Sequence, residues 1–252
     1  MGVASGGSGE WTDDTKMAVI LLQNAERAVA DGTGLTDHLD AVVQGWVGWA
    51  AVAKDVGNQT RALLGDGVRG QQLTAAGATD AACGFHRRSG RSGGNGSLMR
   101  TAPVALAYLH DELAMAAART ISELTHTDPD AGDACVVVRR DPARGPDRRA
   151  RLRRGLGLLP ADRRDLWVAR IEEAERSVPA DFDRNRWMVQ ALRAAWSAIT
   201  GTAVPDGADL DNQPGDDLRL ALEADPRQTA SWSRRQVTAQ ERALRRPGTA
   251  PS

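Results

Sequence analysis

Three oxygen-bearing side chains, Thr12, Asp13 and Asp14, stand in a row in "EWTDDTKMAVILL", where an apolar helical stretch begins. Adjacent carboxylates repel each other unless a positive charge sits between them. A hard divalent cation supplies that charge, and Mg2+ takes oxygen ligands of this kind while keeping several waters. The same residues also suit a helix N-terminus, where one acid caps backbone N–H groups and complements the dipole. A second stretch, "SGGNGSLMR" (92–100), has glycines at 93, 94 and 96. Glycines let the backbone approach a ligand and aim N–H groups at an anion, and a helix start follows. Within it Asn95 and Ser97 offer polar contacts to ribose or phosphate. It is neither a dinucleotide fingerprint nor a P-loop, since no strand precedes it and no Gly-Lys-Ser/Thr is present. An ordinary flexible loop has the same composition. Third is His126 in "LTHTDP", beside Thr125 and Asp128, where a histidine serves either as a ligand contact or as loop support.

These residues need helices to hold them, and the hydrophobic spacing supplies helices almost throughout. The spacing predicts a first helix over about 13–30, ended by "DGTG", and a second carrying Leu39, Val42, Val43, Trp46, Trp49 and Ala50 on a core face. "DVGNQTRALL" reads as a turn into a short helix, 84–97 as a Gly- and Ser-rich loop, and "LMRTAPVALAYL" as the helix leaving it. Leu113, Ala117, Ile121 and Leu124 mark another helix, and Asp128 followed by Pro129 is an N-cap and first helical residue. Later helices are expected over about 163–177 and 187–199, the last with Met188, Leu192, Ala195 and Ile199 on one face. No pair of alternating strands and no repeat is visible, so the fold class is all-α, a single compact helical domain over 10–223. Residues 1–9 are expected to be a flexible N-terminus and 224–252 a disordered tail. "RRDPARGPDRRARLRR" (139–154), with eight arginines among sixteen residues, is expected to interrupt the domain as linker or disorder.

Bulk properties narrow the function classes. With 32 basic and 33 acidic residues in 252, nothing global points to nucleic acid or a membrane surface. Cys83 and Cys135 lie far apart without metal-binding spacing, which suggests two reduced thiols. No run reaches membrane-span length and the N-terminus lacks a secretory signal, so a cytoplasmic location is expected.

Taken in order, "WTDDTKM", "DVGNQTRALL", "GNGSLMRTAPVAL" and "LTHTDPDA" resemble the ADP-ribosylglycohydrolase family, which includes the enzyme that reactivates ADP-ribosylated dinitrogenase reductase. The resemblance covers about 10–136 and returns over about 155–204, where "NRWMVQALRAAWSAI" looks like the family's late helix. It implies an all-α domain with a dinuclear cleft, holding two Mg2+ (or Mn2+) ions through Thr12, Asp13 and Asp14, with Asp13 and Asp14 at the catalytic centre. It places Ser92, Gly93, Gly94, Asn95, Gly96, Ser97 and His126 on the ADP-ribose. The implied reaction is hydrolysis of the bond between the ribose anomeric carbon and its conjugate, an ADP-ribosylated protein or a small-molecule ADP-ribosyl conjugate. The family's opening Gly-Asp…Gly…Glu helix and closing "GGDTDT"-type motif have no counterpart here. Asp216 and Asp217 in "PGDDLRL" lack the spacing of the latter. The expectation is therefore a family member missing N- and C-terminal parts. The alternatives are a catalytically inactive remnant that binds ADP-ribose or a nucleotide, and a non-functional fragment.

Overall fold

The first helix, α1 (Asp13–Asp31), starts at the acid pair and buries Met17, Leu21, Ala25 and Ala28 along one face. It stops at Gly32, whose φ of 67° only glycine adopts without strain. There Thr33 N–H donates to Ala28 O at 2.8 Å and Gly32 N–H to Val29 O at 3.3 Å, the paired closing bonds of a left-handed cap. A 3-10 turn (Leu35–His38) leads into α2 (Leu39–Ala50). Trp46 of α2 is fully buried and donates its indole N–H to Met17 O at 3.2 Å. Of the two tryptophans expected in the core, Trp46 is central and Trp49 packs at the edge.

The computed structural model describes residues 12–54, 56–65, 72–108, 110–138, 148–184 and 186–201. The remaining helices are α3 (Asn58–Leu64), α4 (Ala75–Ser89), α5 (Ala102–Ala107), α6 (Asp111–Glu123), α7 (Pro129–Val138), α8 (Arg148–Gly157), α9 (Ala161–Arg176) and α10 (Met188–Gly201). The only β feature among the described residues is one isolated antiparallel bridge, Gly94 with Trp187, so the domain is all-α. No described helix is long and apolar enough to cross a membrane. The expected flexible N-terminus, the tail from 224, residues 139–147 and the Asp216–Asp217 pair lie outside the described residues.

Two apolar cores meet at α7. Met17, Leu21, Val42, Trp46, Leu64, Ile121 and Leu124 belong to the first, and Cys135 reaches it from α7. Val136, Val137, Trp167, Ile171, Met188, Leu192 and Trp196 form the second. A 3-10 segment, Asn95–Arg100, packs against α1, α6, α7 and α10 and so spans the seam. The second core is clamped by Asp133, whose carboxylate accepts from Arg119 Nη2 at 2.5 Å, Arg163 Nε at 2.6 Å and Trp167 Nε1 at 3.0 Å. Asp130, one turn earlier, accepts from Arg163 and Arg170.

Three expectations change. Of the expected loop 84–97 only 90–94 is loop, because α4 runs on to Ser89 and the 3-10 segment begins at Asn95. That helix, which the spacing of large apolar residues does not announce, is carried by alanines, with Ala78 and Ala82 buried and Thr74 capping Gly77 N–H at 3.1 Å. In α10 the buried face is Met188, Val189, Leu192 and Trp196, while Ile199 is 40 % exposed, so the packed stripe is rotated from the expected one. The Arg-rich interruption contains α8 from Arg148 onward, and Leu152 and Leu156 are buried four residues apart. Drawing the interruption's end at 154 separates that pair of leucines and hides the helical period.

α8 lies so close to α7 that a Cβ on Gly155 would sit 2.5 Å from Val137 O and 2.9 Å from its Cα, whereas a Cβ on Gly157 would meet nothing within 4 Å. Gly155→Ala is expected to cost about 1–3 kcal/mol in denaturant unfolding, because backbone rather than a pliable side chain must move. Gly157→Ala, on the same helix, is expected to be neutral or slightly stabilising.

Candidate active site

The start of α1, the start of α3, the 92–96 loop, the turn before α7 and the lead into α10 converge on one cleft of about 450 Å3. Asp13 lines it from α1, and Gly94, Asn95 and Gly96 form one wall. His126 lies behind those glycines. A Cβ on Gly94 would stand 3.3 Å from His126 Nε2, and one on Gly96 would stand 3.2 Å from the same atom. Glycine at these two positions is what lets backbone and imidazole share the wall.

The acid pair is divided by its surroundings. Asp13 is partly buried and faces the cleft, while Thr12 and Asp14 are exposed beside it. Thr12 occupies the N-cap position but makes no side-chain capping bond. Asp13 Oδ1 accepts from Asp14 N–H at 3.1 Å. Oxygen donors of this kind fit one hard cation held by one or two carboxylates, water and substrate oxygens. Among the described residues no group of three or more His, Cys, Asp or Glu side chains gathers for a metal.

The glycine loop is divided as well. Ser92 is fully buried and its Oγ lies 2.5 Å from His86 Nδ1. Gly93 is buried under Asp128 and Trp187. Ser97 is buried too, with its carbonyl accepting from Thr101 Oγ1 at 2.8 Å and its hydroxyl 3.6 Å from Cys135 Sγ. These three therefore brace the loop from behind, and Gly94, Asn95 and Gly96 are the ones brought to the cleft. The bracing continues on the other side, where Asn95 N–H donates to Arg186 O at 3.1 Å and Met188 N–H to Gly93 O at 2.8 Å. The Asn95 amide is thus already committed to the lead into α10.

His126 is 2 % exposed. Burial, and secondly the nearby charge of Arg100, depress its pKa to about 3, so the ring is neutral at physiological pH. Its Nδ1 is 2.7 Å from Thr125 Oγ1, which accepts from Arg100 Nη2 at 2.6 Å. Arg100 itself is fully buried, lies 4.1 Å over the Trp46 ring and also donates to Ile121 O at 3.2 Å. Desolvation lowers its pKa to about 10, which leaves it charged.

Several cleft residues carry no signal in their type or spacing. Asn58, Gln59 and Thr60 line it from α3, and Gln59 Nε2 donates to Thr125 O at 2.7 Å, tying α3 to the histidine turn. "DVGNQTRALL" carries the family resemblance, yet nothing in the stretch marks Gln59 as a tether. Arg91, Arg186 and Trp187 lie at the same cleft, Trp187 with 37 % of its surface exposed. A half-exposed tryptophan before a core helix is indistinguishable in sequence from another core residue.

A family model described as ADP-ribosylglycohydrolase matches residues 2–224, most of the chain. No curated protein and no solved structure matches it.

The depressed folded-state pKa of His126 lies well below the unfolded value of 6.5. The unfolded chain therefore takes up a proton that the folded chain refuses, and this contribution to stability is complete above pH 6.5 and lost as pH falls toward 3. Unfolding measured between pH 7.5 and 5 is expected to show stability falling at up to about 1.4 kcal/mol per pH unit from this group. His126→Gln is expected to flatten that slope.

Proposed function

We propose, because this chain belongs to the ADP-ribosylglycohydrolase family, that it is a glycohydrolase that removes ADP-ribose from modified protein side chains or small-molecule ADP-ribosyl conjugates. Mg2+ is its metal and the cytoplasm its compartment. The observation that carries the reading is the convergence of Asp13, Gly94–Gly96 and His126, from three distant segments, on one cleft. The same cleft is lined by an acid, Asp13, and by two arginines, Arg91 and Arg186. That suits a ligand with both a diphosphate and a bond to be hydrolysed.

In this reading the Gly94 and Gly96 amides and the two arginines receive the diphosphate, since loop amides and guanidinium groups both donate to phosphate oxygens. Trp187 offers its exposed ring to the adenine base, a flat apolar surface with a polar edge. Neutral His126 donates one hydrogen bond to a ribose or phosphate oxygen and adds no charge. Thr12, Asp13 and Asp14 would hold Mg2+, which supplies positive charge to orient ribose hydroxyls and lowers the pKa of bound water. Asp13 also places negative charge beside the anomeric carbon, where positive charge develops as the glycosidic bond breaks. Water adds its oxygen to that carbon, the bonding electrons leave with the conjugate atom, and a proton from water neutralises the leaving group.

A second reading, binding without turnover, draws on the absence of a three-ligand metal cluster among the described residues. Calorimetric titration of Mg2+ with and without ADP-ribose separates the two. Hydrolysis requires saturable Mg2+ binding that tightens with ADP-ribose and disappears in Asp13→Ala. Release of ADP-ribose from an ADP-ribosylated protein mixture should fall in the same variant by at least the roughly 10–100-fold that loss of a metal's outer-shell partner costs. ADP-ribose binding that ignores Mg2+, with no release, would establish the binding reading instead.

A further inference from the structure

Arg100 is a buried cation whose hydrogen bonds go to neutral groups. Its Nη1 donates to Gly96 O at 3.4 Å, and its Nη2 to Thr125 Oγ1 at 2.6 Å and Ile121 O at 3.2 Å. One guanidinium thus touches both the cleft's glycine wall and the residue bonded to His126. A guanidinium has only donors, and a hydroxyl has one hydrogen to give. Thr125 Oγ1 accepts from Arg100, and the one acceptor for its own hydrogen among the described residues is His126 Nδ1, 2.7 Å away. Were Nδ1 protonated instead, it would point its hydrogen at Thr125, and the Thr125 hydrogen would have no acceptor in a fully buried site. The chain of donors therefore runs one way, from Arg100 through Thr125 to Nδ1. In a neutral ring the proton then sits on Nε2, the edge of the ring that packs on Gly94 and Gly96, in a residue that itself lines the cleft.

We infer that Arg100, acting through Thr125, is a positioning residue that locks His126 in its Nε2–H form and presents that hydrogen to a ligand lodged against Gly94 and Gly96. The ligand class, an oxygen-rich nucleoside diphosphate sugar, rests on the functional reading above. The lock itself does not, because it is a property of the ligand-free protein. It also gives the buried charge of Arg100 a purpose that a core residue would not need, since the charge polarises the Thr125 hydroxyl toward the ring. A neutral histidine with a fixed hydrogen favours an oxygen acceptor, and it discriminates against a ligand that offers a donor at that point.

The test is the nitrogen-15 spectrum of the histidine side chains of the full chain, with His126 identified by its loss in His126→Gln. In the ligand-free wild type the Nδ1 resonance is expected in the unprotonated range and Nε2 in the protonated range, unchanged from pH 8 to pH 5. Thr125→Val should move both resonances toward a mixture of tautomers, and Thr125→Ser, which keeps the hydroxyl, should restore them. A wild-type ring protonated on Nδ1 overturns the proposal without any variant. So does a tautomer that Thr125→Val leaves unaltered. With ADP-ribose added, Nε2 is expected to shift while Nδ1 stays, and Thr125→Val should bind about tenfold more weakly, the worth of roughly one hydrogen bond. ADP-ribose that binds without moving Nε2 overturns the presentation of the hydrogen. Failure of ADP-ribose to bind the wild type counts instead against the functional reading, and the lock is then judged on the ligand-free spectra.

Discussion

Removing a guanidinium from water costs several kcal/mol unless its hydrogens are satisfied, and Arg100 is removed from water completely. None of its hydrogen-bond partners among the described residues is a carboxylate. In place of an ion pair it has the face of Trp46, the carbonyls of Gly96 and Ile121 and the hydroxyl of Thr125, with its Nε alone lacking a partner. Those contacts come from α2, from the 3-10 segment, from α6 and from the turn before α7. All four must stand where they do for the charge to be tolerated, so the cost of one buried cation sets the mutual placement of the elements that shape the cleft. Met17, whose Sδ lies 3.9 Å from Nη1, adds α1 to the set.

The cleft inherits its geometry from this constraint. Asp13 sits one turn before Met17 on α1, so the packing of that helix on Trp46 and Arg100 determines how far the acid reaches. The glycine wall is held from two sides, by Arg100 through Gly96 and by the short antiparallel pairing with Arg186 and Met188. That second hold joins the wall to α10 and hence to the other apolar core. The two cores therefore differ in role. The first places the acid and the histidine, and the second supplies Trp187 and Arg186 from the opposite direction.

Charge serves stability in the second core in a more ordinary way. Burial alone would raise the pKa of Asp130, but hydrogen bonds and charge from Arg170 and Arg163 outweigh it and hold the carboxyl below its usual range. Its contribution to stability is therefore present above the unfolded value and lost only as pH falls through the lower folded one. Here arginines meet carboxylates directly, and the abundance of Arg in the sequence finds a structural use between α7 and α9. The contrast with Arg100 is informative, because one arginine is neutralised by acids and the other is left charged beside a histidine.

The all-α class, most helix positions and the cap at Asp128 followed from local chemistry: apolar residues at three- and four-residue spacing, and short polar side chains at helix starts. Asp128 Oδ1 does accept from Asp130 N–H at 2.9 Å. Local chemistry failed where alanine replaced larger apolar residues, as in α4, and where a run of arginines concealed Leu152 and Leu156 in α8. The order of four motifs along the chain was enough to identify the family, since each motif keeps its residues together in sequence. What the motifs do not contain is which side of each faces the ligand. Ser92 and Ser97 flank the glycines in sequence yet turn inward, because backbone pairing and a 3-10 turn alternate the directions of neighbouring residues. Arg100 and Gln59 read as unremarkable polar residues, because what makes them matter is contact with Thr125, 25 and 66 residues away. Residue types and their order determined the chemistry this protein can attempt. Only long-range packing around a buried charge decided which of those residues reach the cleft.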